Sequence, residues 1–142
     1  MNDRSQNLTA LAGRILLAAV FVLSGFNKLS NFSGTAGFMA GAGLPMAEVL
    51  LVLTILIEII GGLMLVTGYR TRLAALILFL FMIPVTLVFH NPATATDAAM
   101  AQQQTIQLLK NLAIMGGILQ LWAFGPGAIS LDARKDVQEI AM

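Results

Sequence analysis

The sequence predicts an all-α protein, a four-helix bundle that crosses a lipid bilayer. Three observations predict it. Only 11% of the 142 residues are charged and 58% are hydrophobic, where a soluble domain carries about 25% charged residues. Mean hydropathy is +0.85. The apolar residues gather into four stretches, each near the ~20 residues that a helix needs to cross the hydrocarbon. Four such helices with short connections use up the chain, so residues 1–142 read as one membrane domain with no soluble part.

The first span is expected over residues 8–28, behind a short polar N-terminus. No small-x-small cleavage pattern follows it, so it reads as a retained helix and not a removed signal. The second span is expected over 46–68, with Pro45 just ahead of it, where a missing N–H costs nothing. The third covers 73–90 and contains Pro84, which removes a helix hydrogen bond and frees the carbonyl of Leu80. The fourth covers 106–124 and stops at Gly125-Pro126-Gly127. Between spans one and two, Phe32, Phe38, Met39 and Leu44 alternate with small residues, which predicts a short extra helix in the first outer loop. Residues 91–104 read as an ordinary polar surface loop. Two Gly-Gly pairs, Gly61-Gly62 and Gly116-Gly117, predict close approach of neighbouring backbones.

An even number of spans puts both termini on one side. Arg4, Arg14, Arg70, Arg72, Arg134 and Lys135 fall on that side, and only Lys28 and Lys110 on the other. By the positive-inside rule both termini should be cytoplasmic, which in a bacterium means the inner membrane.

Composition also excludes chemistry. With no cysteine, thiolate metal sites, iron–sulfur clusters and disulfide exchange are absent from this chain. One histidine, His90, cannot supply both ligands of a bis-histidine haem. No cofactor or metal site is expected within the chain, and a redox role would need a borrowed quinone, a flavin or a partner protein. A net charge of +1, without a basic cluster or an aromatic platform, gives no case for nucleic acid.

The polar residues inside the spans carry the functional signal. Glu58 stands mid-span, where an ionisable group costs ~2.5–3.5 kcal/mol on the insertion scale. Its structural explanation is an ion pair with Arg14 or Lys110. Its functional explanation is a ligand or proton site, and the two are compatible. Arg14, Ala18, Phe21, Gly25 and Lys28 recur at helical spacing on span one. Arg14 there reads either as an inward residue or as one that snorkels to the headgroups, and Lys28 reads as a boundary residue. Gln103, Gln107, Lys110, Asn111, Ala113, Gly117 and Gln120 make a stripe on span four, and Thr86 and His90 are one turn apart on span three. If these faces turn inward, they form a polar funnel open to the outside and floored by Glu58.

The order of these elements resembles the DoxX family of small four-helix bacterial membrane proteins. The resemblance rests on Gly25-Phe26-Asn27-Lys28-Leu29, Gly43-Leu44-Pro45, Glu58-Ile59-Ile60-Gly61-Gly62 and Gly68-Tyr69-Arg70-Thr71-Arg72. It continues through His90, Lys110-Asn111-Leu112, Gly125-Pro126-Gly127 and Ser130-Leu131-Asp132. The resemblance implies association with quinone-linked redox or oxidative-stress assemblies, although most members have no established activity. It also singles out Lys28, Glu58, His90, Lys110 and Asn111, the residues that depth along the spans also selects. Depth places Glu58 near the midplane, Arg14 in the inner half, and Lys28, His90, Lys110 and Asn111 in the outer half. Three functional classes stay open. One is a quinone-linked component, in which His90, Lys110 and Asn111 hold a head group, Glu58 relays protons and a membrane partner carries electrons. The second is a non-catalytic scaffold or anchor subunit. The third is a small binding or transport protein for an aromatic solute, for which a homodimer would supply the missing helices.

Overall fold

The computed structural model describes residues 2–134, and the four spans are present. They are α1 (Asp3–Ser30), α3 (Ala47–Thr67), α4 (Thr71–Phe89) and α5 (Ala98–Phe124), with a short α2 (Phe32–Gly41) in the first loop. There is no strand among the described residues. Lys135 and the charged tail beyond it lie outside the described residues.

Two helices begin earlier than the hydropathy predicts, because a cap starts them and not an apolar residue. The Asn2 side chain accepts from the Ser5 amide at 2.9 Å and opens α1. The Asp97 side chain accepts from the Met100 amide at 2.8 Å and opens α5, so much of the expected surface loop is helix. Each satisfies one of the orphan N–H donors of a helix start.

The core mixes large side chains with alanines. On α1, Arg14, Ala18, Phe21 and Gly25 are buried, the stripe expected from their spacing. Ala18 and Phe21 pack with Leu65 of α3, Ala74, Ala75, Leu78 and Met82 of α4, and Ile118 of α5. The other faces carry Leu16, Leu23, Ile60, Leu80 and Leu109, all exposed, as lipid-facing surfaces should be. Lipid tails are as apolar as leucine, so helices associate through close packing of small residues. Gly62 is such a place: a Cβ there would meet Val22 Cγ2 at 2.6 Å and the Ala18 carbonyl at 3.3 Å. The second pair differs from expectation. A Cβ on Gly116 meets nothing within 4 Å, and one on Gly117 reaches only Leu17, at 3.5 Å. Gly62→Leu should therefore lower stability by about 1–3 kcal/mol through overpacking. Gly116→Leu should leave it unchanged, and thermal unfolding of both in detergent checks the contrast.

α1 packs on α3, α3 on α4, and α4 on α5, while α1 and α5 touch little. The segment after α5 then returns to lock the opposite corner. Asp132 accepts from the amides of Arg70 at 2.7 Å and Thr71 at 2.8 Å, capping α4, and its own amide donates to the Gly68 carbonyl at 2.9 Å. Gly68 and Arg70, with φ of 68° and 44°, turn the chain between α3 and α4. Asp132→Ala should cost about 1–2 kcal/mol, the worth of a strong cap. Urea or thermal unfolding would register it, with Asp132→Asn falling between.

Arg14 belongs to this corner and not to Glu58. It is 2% exposed. Its guanidinium donates to the carbonyls of Pro126 at 2.6 Å, Ile129 at 2.8 Å and Val66 at 3.3 Å. The expected snorkelling and the expected Arg14–Glu58 pair are both absent. The backbone beyond Gly125-Pro126-Gly127 presents carbonyls that a planar five-donor fork can collect together.

Candidate functional site

At the far end of the bundle from Arg14, α1, α3, α4 and α5 surround Glu58. Its side chain sits beside Gly25, where a Cβ would meet Glu58 Cβ at 3.3 Å and Ile59 Cγ1 at 2.6 Å. Glycine thus lets α3 come against α1 at the level of the carboxylate. Lys28 Nζ donates to Glu58 Oε1 and Oε2, both at 2.9 Å, and to Ser24 Oγ at 2.5 Å. Ser24 Oγ in turn donates to Glu58 Oε1 at 3.2 Å. Lys28, not Arg14 or Lys110, is the ion-pair partner.

The reason is local geometry. Helical side chains lean toward the helix N-terminus. Lys28, near the C-terminal end of α1, therefore points back over Ser24 toward the membrane interior and not outward. A boundary role would need the opposite direction. An ammonium has three N–H donors, and this one has three acceptors in reach, so Lys28 is saturated.

Two chambers flank the pair. The first has a volume of about 240 Å³ and is bounded by Thr35, Phe38 and Met39 of α2, Thr54 of α3 and Phe89 of α4. The Phe38 and Phe89 rings stack at 5.6 Å between centroids. The second, about 160 Å³, reaches across to Lys110, Asn111 and Ile114 of α5. Lys28, Glu58, Phe81, Val85 and His90 line both, so the ion pair stands at their common wall.

All five residues singled out by sequence thus line the second chamber, in different states. Asn111 is buried and donates to Thr86 Oγ1 at 3.0 Å. His90 Nδ1 lies 3.4 Å from Gln104 Oε1. Lys110 is exposed and has no ion-pair partner among the described residues. The stripe predicted on α5 splits. Its Asn111 edge packs inward on α4, while Lys110, Ala113, Gly117 and Gln120 border a groove facing α1. The Gln107 side-chain oxygen, Oε1, is buried without a hydrogen-bond partner. Pro84 is exposed and borders neither chamber, so it adds nothing to the expected funnel.

Sequence reasoning missed Ser24, Phe81 and Val85. Ser24 had a signal, since it stands one turn before Lys28 on the same face. Phe81 and Val85 gave none, because an apolar wall reads like any apolar span.

The charges of Lys28 and Glu58 offset each other, and Lys110 adds a cationic side chain to the wall of the second chamber. Among the described residues no three His, Cys, Asp or Glu side chains gather as a metal site. The arrangement offers a small apolar space with donors at one end, suited to a carbonyl or anionic oxygen on an apolar ring.

The DoxX family profile matches residues 9–91. The chain is 32% identical to the inner membrane protein YphA of Escherichia coli over 124 residues, covering 87% of this chain and 88% of that protein. It is 35% identical to the inner membrane protein YqjF of the same organism over 128 residues, covering 89% and 92%. It is also 28% identical to a Surfeit locus protein 4 homolog of Drosophila melanogaster over 94% of this chain, although that match covers only 43% of the longer protein. No solved structure matches. With four membrane-crossing helices and this family match, the chain belongs to the DoxX family of integral membrane proteins.

Proposed function

We propose that this protein binds the head group of a quinone-like aromatic carbonyl compound, as a redox-associated component of the inner membrane. The single observation behind this is the second chamber, in which Lys110, Asn111 and His90 surround a small apolar space beside a buried carboxylate. Lys28 has no donor left for a ligand. The head is therefore held by Lys110, by the second amide hydrogen of Asn111 and by His90. Glu58 lies within the same wall as the group that could exchange a proton with it. Electrons come from and go to a partner protein. The six-to-two distribution of basic residues favours cytoplasmic termini, so the chambers lie toward the non-cytoplasmic face.

Equilibrium binding of duroquinone to the purified protein tests this reading. Lys110→Met should weaken binding by about tenfold or more, the worth of one charge-assisted hydrogen bond. If neither form binds duroquinone, the reading is wrong.

The saturated Lys28–Glu58–Ser24 group favours a second reading, a scaffold subunit in which these charges only hold α1 to α3. In that case Glu58→Gln lowers the thermal midpoint, and no quinone analogue shifts the midpoint of the wild type.

A further inference from the structure

We propose that the ligand has an apolar tail, and that it loads sideways from the bilayer through the groove between α1 and α5. This deepens the proposed function and rests on it. The second chamber, at about 160 Å³, is well below the ~300–1,000 Å³ of sites that enclose a drug-sized ligand. It has room for a ring and not for a tail. Toward α2, beyond the ion pair, lies the first chamber, lined by the stacked Phe38 and Phe89 rings.

Toward the lipid the second chamber adjoins a groove. α1 and α5 touch little, and between them runs a groove of about 640 Å³ with walls of Leu17, Val20, Ala113, Ile114, Gly117 and Phe124. Val20, Lys110 and Ile114 line both the groove and the chamber, so these side chains, with the flexible Lys110 among them, form the boundary between the two spaces. From Lys110 to Phe124 the groove follows α5 for 14 residues, or ~21 Å along its axis, long enough for an alkyl chain. At its lower end a Cβ on Gly13 would meet nothing within 4 Å.

Charge placement fits the same occupant. Lys110 is an exposed cation deep in a span, with no ion-pair partner among the described residues. Its side chain leans toward the N-terminus of α5, the end where the chamber lies. It stands where the head of an amphiphile would pass from lipid into the chamber, and a carbonyl or anionic oxygen would be its partner. The groove is no more apolar than the lipid it borders, so the tail gains little affinity there. Its role is to give a tailed head a way to keep its tail in the bilayer.

The test compares duroquinone with its decyl homologue, in which one ring methyl is replaced by a decyl chain. Both are titrated against the full-length protein in lipid nanodiscs. Ala113→Trp and Gly13→Trp fill the groove from faces that open away from the core. Ala113→Trp should weaken the decyl homologue by about tenfold or more while leaving duroquinone within about twofold, and Gly13→Trp should act in the same direction less strongly. Independently, Ala113→Cys, a lone thiol in a chain without cysteine, should be shielded from a lipid-soluble maleimide by the decyl homologue and not by duroquinone. Undiminished binding of the decyl homologue, equal loss of both compounds, or no shielding overturns lateral loading while leaving the chamber reading intact. Failure of the wild type to bind either compound overturns both.

Discussion

Arg14→Ala is expected to cost about 3–5 kcal/mol, because it strands three part-buried backbone carbonyls that now share one buried guanidinium. Those carbonyls belong to Pro126, Ile129 and Val66. The loss should reach beyond them. Arg14 holds the segment after α5, and that segment carries Asp132, which caps α4. A variant lacking Arg14 should therefore expose the segment to protease before the helices unfold. Arg14→Lys keeps the charge but offers a single point of contact where a fork is needed, so it should recover only part of the loss. Thermal unfolding in detergent, followed in parallel with limited proteolysis near residue 128, measures both effects.

The second large effect concerns Lys28 and Glu58, and it is asymmetric. Lys28→Met leaves the Glu58 carboxylate buried with only Ser24 for company. Breaking a buried pair costs about 3–5 kcal/mol, and a value near 3 is expected, because the Lys28 side chain is 26% exposed. Glu58→Met should cost less, since the freed ammonium can swing toward the outer surface by its flexible stem. The Lys28→Met/Glu58→Met double variant should return close to wild-type stability, as apolar replacements of buried pairs commonly do. The cycle should give a coupling of about 3 kcal/mol or more, the sum of the two single losses. Additive losses in the two single variants would show that the pair does not act as a unit.

Much of this architecture was legible in the residues. The four spans follow from hydropathy alone, and the buried face of α1 follows from the spacing of Arg14, Ala18, Phe21 and Gly25. What hydropathy could not place were the helix starts, because caps such as Asn2 and Asp97 act through one side-chain hydrogen bond. The site was legible as a set of residues and not as a set of partnerships. Depth along the helix axes put Glu58 between Arg14 and Lys28 but ignored side-chain direction. The backward lean of helical side chains brings Lys28 down to Glu58. The carbonyls that claim Arg14 belong to an irregular segment, whose path no periodicity reveals. The splitting of the α5 stripe has a similar cause. Spacing shows which residues share a face, but not whether another helix packs squarely against that face. Here α4 does so along the Asn111 edge, and α1 leaves the Lys110 edge open.

The same geometry divides the labour among the polar residues. Lys28, Glu58 and Ser24 satisfy one another, while Lys110 meets no carboxylate among the described residues. The saturated pair accordingly forms the wall of the proposed chamber site, and Lys110 is left to meet the ligand.

The most direct test is the shift in thermal midpoint caused by saturating decyl homologue of duroquinone, measured on the wild type and on Lys110→Met. A compound that binds only the folded protein must raise its midpoint. The wild type should rise, and Lys110→Met should unfold at nearly the wild-type temperature without ligand and gain little with it. A wild-type midpoint that does not move, or an equal rise in Lys110→Met, would contradict the assignment of the chamber as a ligand site built around Lys110.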